Sequence, residues 1–197
     1  MSIRPNKAET HRVHITVGGD KLSYNGPTDT QCASLITTKI FLNSVVSTIL
    51  VLFMCVDIHD FYYNTPIVDF EYMKLPLSMF PQEIVEQYIL KDQVAADGYV
   101  YIEIRKGMPG PKQARRLASE KITKNLARNG YAPIPYTPSL WRHHTLDLVF
   151  SLVVKNFGIK YTRKSDADHL LKYFWGDYDI TKERTGEKYL GLTLNLD

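Results

Sequence analysis

The apolar and polar positions of this chain fall into short alternating runs and a few stretches of helical period, separated by turn signals. Residues 11–17 alternate as a strand, Gly18 and Gly19 supply a hairpin turn, and residues 21–24 can return beside it. Between residues 33 and 47, Leu35, Ile36, Ile40, Leu42, Val45 and Val46 recur at near-helical spacing, which predicts a helix despite several threonines. Residues 50–57 form a continuous β-branched and aliphatic run ending at Asp57, as expected of a strand covered on both faces. A short extended piece at 71–75 follows, then a helix opened by Pro81 and running to about residue 90, then an alternating strand at 99–104. Residues 112–129 read as a helix with Leu117, Ile122 and Leu126 inward, basic residues outward and Gly130 as its C-terminal cap. Apolar strands at 146–154 and 158–162 flank a turn at Lys155, Asn156 and Phe157. A helix over 166–175 and strands at 178–180 and 188–194 close the chain.

Short strands interleaved with helices, without an internal repeat, define an α+β chain with a mixed, mainly antiparallel sheet backed by helices. At 197 residues it can bury a core without disulfide or metal staples. Apolar residues at 44% and charged residues at 23% exclude a disordered tail or a fibre. Cys32 and Cys55 fit neither a disulfide framework nor a CxxC motif, so both are expected as buried apolar fillers in a reducing compartment. The polar N-terminus does not read as a secretory signal. The apolar run 45–56 is about half the roughly 20 residues needed to cross a bilayer. The expectation is therefore an intracellular protein, cytoplasmic or nuclear, with no membrane partner. A net charge of +3 favours an anionic partner only mildly, and the oligomeric state is not specified.

Asp57, at a strand end and followed by Phe61, Tyr62 and Tyr63, stands where a carboxylate could hold a divalent cation or simply form a turn. Asp60 has the stronger turn bias. His143 and His144 are adjacent, so on a strand they point to opposite faces and cannot share one ion. Asp147, Asp166 and Asp168 lie at element edges, where they are expected to cap or solvate.

The blocks SLITTKIFLN, FMCVDIHDFYYNTP, EYMKLP, KGMPGPKQARRLASEKITKNLARNGYAP, SLWRH, VFSLVVKNFGIKYT and EKYLGLTL together cover most of the chain. In that order they resemble the successive blocks of a copia-type reverse transcriptase from long-terminal-repeat retrotransposons. The resemblance implies a fingers/palm fold in one partial domain: residues 1–48 a finger-like remnant, residues 49–197 a palm-like region, and no thumb or RNase H part. It implies RNA or DNA template-primer as partner and Mg²⁺ as cofactor. Asp57 matches the family's first metal-binding aspartate, and Ile58 the neighbouring backbone ligand. Tyr62 falls where an aromatic ring lies beneath the sugar of the incoming nucleotide; Gly110 would permit close backbone approach, with Lys112 and Gln113 on the nucleotide and template side. Arg115, Arg116, Lys121, Lys124 and Arg128 along one helix would follow a phosphate backbone.

The chain departs from that pattern at three places. Pro111 stands where leucine is usual and Arg115 where the family has proline. In the hairpin, Lys155 and Asn156 occupy the positions of two aspartates. Family chemistry needs two hard cations about 3.5–4 Å apart, and an ammonium at that place opposes a cation by several kcal/mol. The resemblance thus implies an RNA-directed DNA polymerase remnant without catalysis. The alternatives are a non-enzymatic module binding nucleic acid or protein, and an active polymerase in which Asp60 or Asp147 supplies the missing carboxylates.

Overall fold

Every described strand pairing is antiparallel in the computed structural model, which describes residues 2–4, 12–14, 16–19, 22, 24–28, 30 and 32–194. The expected mixed sheet is therefore antiparallel throughout its described part. The elements are β1 (Ser2–Arg4), β2 (Arg12–His14), α1 (Leu35–Val46), β3 (Leu52–Ile58), β4 (Pro66–Pro76), α2 (Gln82–Gln87), β5 (Tyr99–Lys106) and α3 (Lys112–Arg128). After them come β6 (Tyr131–Pro133), β7 (Leu140–His143), β8 (Leu148–Val153), β9 (Asn156–Tyr161), α4 (Lys164–Asp177), β10 (Ile180–Glu183), β11 (Lys188–Tyr189) and β12 (Leu192–Thr193). The chain is α+β.

A six-stranded sheet in the order β10-β3-β9-β8-β7-β6 carries the fold. Strict alternation along β3 and β9 sends Met54, Val56, Ile58, Phe157 and Ile159 to one face, where they meet Ile122 and Leu126 of α3 and Leu170, Leu171 and Phe174 of α4. Phe174, fully buried with its ring 4.7 Å from that of Phe157, anchors this layer, and truncating it to alanine should cost about 3–5 kcal/mol. The opposite face presents Phe53 and Cys55 to Phe41 and Val45 of α1 and to Tyr189. Gly158 makes room for this second layer: a Cβ there would stand 2.9 Å from the Tyr189 ring and 3.0 Å from that of Phe53. β3 is covered on both faces, as its unbroken apolar run requires.

Several sequence expectations are corrected. Arg12–His14 pairs with Ser2–Arg4 rather than with 21–24; Leu22 and Tyr24 are not in a strand, while Lys21 and Ser23 of that expected return lie outside the described residues. The tight turn is Val154–Lys155, because Val153 pairs with Asn156; the pleat needs Phe157 inside β9 to place its ring in the core. Tyr178 ends α4 through a bond from its N–H to the Phe174 carbonyl, and the strand starts two residues later at Ile180. Residues 188–194 form the small hairpin β11–β12 instead of one strand. The extended piece at 71–75 lies in the second half of β4, which is 11 residues long and forms a ribbon with β5. Cys55 is buried, whereas Cys32 is exposed. Asp166 is buried rather than solvated: its carboxylate accepts from Arg163 Nε at 3.0 Å and from the Asp147 N–H, tying the turn before β8 to α4.

Candidate functional site

Asp57 is the next-to-last residue of β3, on the α1 face, with Asn156 of β9 opposite it on one side and Thr181 of β10 on the other. The Val154–Lys155 turn carries Lys155 back over this end of the sheet, and Lys155 Nζ donates to Asp57 Oδ2 at 2.9 Å. The Ile58 N–H donates to the Lys155 carbonyl at 3.0 Å, which holds the turn against the strand end. Ile58 is itself fully buried in the helix-side core. Val154 holds this turn at a left-handed φ of 59°, a conformation that a β-branched residue rarely adopts.

These residues do not fit a divalent cation. Lys155 already neutralises the one carboxylate, Asn156 brings no charge, and among the described residues no three His, Cys, Asp or Glu side chains are grouped as such an ion requires. Asp147, a candidate replacement carboxylate, lies at the opposite end of the β8–β9 pair, where it accepts from Thr162 Oγ1 at 2.7 Å. Five residues of β9 separate Asn156 from that end, roughly 17 Å of strand. Asp60 sits in the turn after β3 at a φ of 47°.

Two clefts flank the N-terminal end of α3. The smaller, about 370 Å³, brings together Tyr62, Met108, Gly110, Lys112 and Arg115. Gly110, at φ 126°, does permit a close backbone approach, to the chain itself: a Cβ there would lie 2.0 Å from the Val17 carbonyl oxygen, and the Val17 N–H donates to the Pro109 carbonyl. Gln113 does not line this cleft; it is buried, and its Nε2 donates to Glu71 of β4 at 3.0 Å. Asp57 lines neither cleft.

The larger cleft, about 700 Å³, lies between α3 and the 134–139 loop, and its walls include Phe61, Arg115, Tyr136, Trp141 and Val154. Tyr136 is fully exposed at a left-handed φ of 59°. Sequence reasoning passed over this loop, although Pro135 and Pro138 on either side of Tyr136 mark a rigid, non-strand segment.

The basic residues of α3 divide by their partners. Arg116 is held by Glu120 at 2.6 Å and donates to the Pro27 carbonyl; Lys121 donates to the Asn64 carbonyl at 2.6 Å and lies 5.5 Å from the centre of the Tyr178 ring. Lys112, Arg115, Lys124 and Arg128 are exposed, and their side chains make no hydrogen bond or ion pair with described residues. They form two groups, Lys112 and Arg115 at the clefts and Lys124 and Arg128 on the outer face of the last turns, about 14 Å further along the axis. One continuous basic stripe is not what the helix presents.

Burial pushes the Cys55 thiol up to about 12, with Glu183 adding to the shift, so this cysteine is a neutral filler and no nucleophile. No described helix is long and apolar enough to cross a membrane.

The chain matches no protein-family model and no curated protein. Among solved structures it is similar to telomerase from Candida albicans in complex with a TWJ fragment of telomeric RNA, at 10% identity and a TM-score of 0.44. That match covers 85% of this chain and 35% of the telomerase chain. A likeness of this degree does not define the fold or the site.

Proposed function

We propose that the chain is a reverse-transcriptase-type palm of the copia retrotransposon kind that no longer transfers nucleotides and retains contact with RNA or DNA. The 49–197 region is the palm-like part in this reading, and residues 1–48 the finger-like part. The observation that carries it is the ion pair between Asp57 and Lys155 at 2.9 Å, with Asn156 beside it. In this reading the ends of β3 and the β8–β9 hairpin hold Asp57, Lys155 and Asn156 together, and Lys155 offsets Asp57 where Mg²⁺ would need further carboxylates. Binding falls to Arg115, Lys124 and Arg128, exposed and unpartnered among described residues, and to Lys112 at the mouth of the smaller cleft. Such contacts position a phosphate backbone without reading bases, so affinity should be insensitive to sequence and steeply dependent on salt.

Primer extension and filter binding on the same preparation test the proposal. The expected result is no templated extension with Mg²⁺ or Mn²⁺, together with binding that weakens as salt rises and is lost in R115E/K124E/R128E. Extension by the unmodified chain, abolished by Asp57→Ala, overturns the loss of catalysis. Binding that survives both the charge reversal and high salt overturns the phosphate-contact assignment.

A further inference from the structure

α1 is apolar on both of its faces. Its inner face, Thr38, Phe41 and Val45, is buried on the sheet. Its outer face and the turn that follows present Leu35, Ile36, Ile40, Val46, Ile49 and Leu50, each 60–87% exposed. Lys39 is the only charged residue of this helix. Large aliphatic side chains on both faces of a helix call for cover on both, and the fold covers only the inner face of this one. Six large aliphatic side chains at that exposure, with the polar positions between them, offer an area of the order of the ~800 Å² per partner that a standard interface buries. Contiguous patches of this size on soluble domains mark interaction sites.

We propose that a second copy of this chain covers the outer face of α1 in an isologous dimer. The argument for a copy is self-complementarity. The outer face is centred on Asn43, so a twofold axis there sets the helices antiparallel and pairs Ile40 with Val46 of the second copy, with Ile49 and Leu50 of the following turn flanking the contact. The same axis brings Lys39, the lone charge, against Ser47 of the second copy. That is the negative end of the facing helix, where a cation is stabilised. Asn43 and Ser47, both smaller than the flanking leucines and isoleucines, leave grooves for those ridges. A net charge of +3 on the whole chain sets little repulsion against the association.

Sedimentation equilibrium of the 197-residue chain tests this. The mass should rise from 22.7 kDa towards twice that value as concentration increases to about 100 µM, and I36E/I40E should stay at 22.7 kDa with an unchanged circular dichroism spectrum. A chain that remains monomeric at the upper concentration, or a dimer that persists in I36E/I40E, overturns the proposal. The symmetry has its own readout: in a C32S background, Asn43→Cys should be joined to itself by a short bis-maleimide, whereas Lys91→Cys, beside a separate apolar cluster, should not. Dimers that crosslink equally at both positions, or at neither, overturn the twofold axis at Asn43.

Discussion

Lys155 Nζ lies 2.9 Å from Asp57 Oδ2 across the end of the β3–β9 ladder, so an ammonium occupies the space beside the Asp57 carboxylate. The side chains of Lys155 and Asp57 are 43% and 33% exposed, which keeps the pair in the weak range of half-solvated ion pairs. Lys155→Ala should lower stability by less than about 1 kcal/mol, and the loss should shrink as salt rises. The unmodified chain should show no Mg²⁺-dependent change in Tm. K155D/N156D, which clusters three carboxylates, should be less stable without the ion and gain Tm on its addition. A Mg²⁺-dependent shift in the unmodified chain would contradict the assignment of Lys155 as the counter-charge.

His143 sets a pH limit on stability. Its Nε2 faces the Asn129 carbonyl, and its Nδ1 accepts from the Thr145 and Leu146 N–H groups, so the imidazole is held neutral. Burial, with His169 at a ring distance of 5.3 Å adding to it, holds the folded pKa below the ordinary 6.5. With the folded value below the unfolded one, the contribution is complete above pH 6.5 and is lost as pH falls from there towards the depressed folded value. Urea denaturation between pH 8 and pH 5 should show this decline, and His143→Asn, which keeps an acceptor near the Nδ1 position, should flatten it. An unchanged slope in the variant would assign the decline to other groups.

Lys160 fastens α1 to the sheet. Its ammonium, carried on the α1 face of β9, donates to the Ser44 carbonyl and to Thr48 Oγ1, both at 2.8 Å, at the negative end of that helix. Lys160→Met keeps the aliphatic stem and removes the donors, and should cost about 1–2 kcal/mol. Hydrogen exchange should localise the loss to the amides of α1, and uniform loss across the sheet would refute the fastening role.

Tyr136 combines a φ of 59° with complete exposure. Its side chain has no burial to lose, whereas a left-handed backbone at a non-glycine residue costs about 1–2 kcal/mol. Tyr136→Gly should therefore leave the fold stable, or more stable by up to about 1 kcal/mol once the entropy of glycine is counted. Strain retained at an exposed aromatic on a cleft wall points to use of that ring. The same variant should weaken binding of single-stranded nucleic acid more than that of duplex, because a free ring stacks on unpaired bases. Equal weakening of both would assign the effect to the loop backbone.

The hydrophobic period by itself determined α1, β3, α3, α4 and the β8–β9 pair, because each is long enough for its apolar face to be read locally. The α+β class followed from the same pattern. The identities of Asp57, Lys155 and Asn156 were equally legible, since one acid, one cation and one neutral amide are matters of residue type. Register was not legible: the turn fell one residue early, at Val154–Lys155, because Phe157 had to enter the core and the pleat then fixed every neighbour. Partners of long side chains were settled only in three dimensions. Arg116 and Lys121 look the same in sequence as Lys124 and Arg128, and only the approach of Glu120, residue 27 and residue 64 takes the first two out of the free basic set. Which face of α1 stays uncovered was likewise a tertiary outcome, because a helix apolar on both sides carries no local preference for the side that meets the sheet.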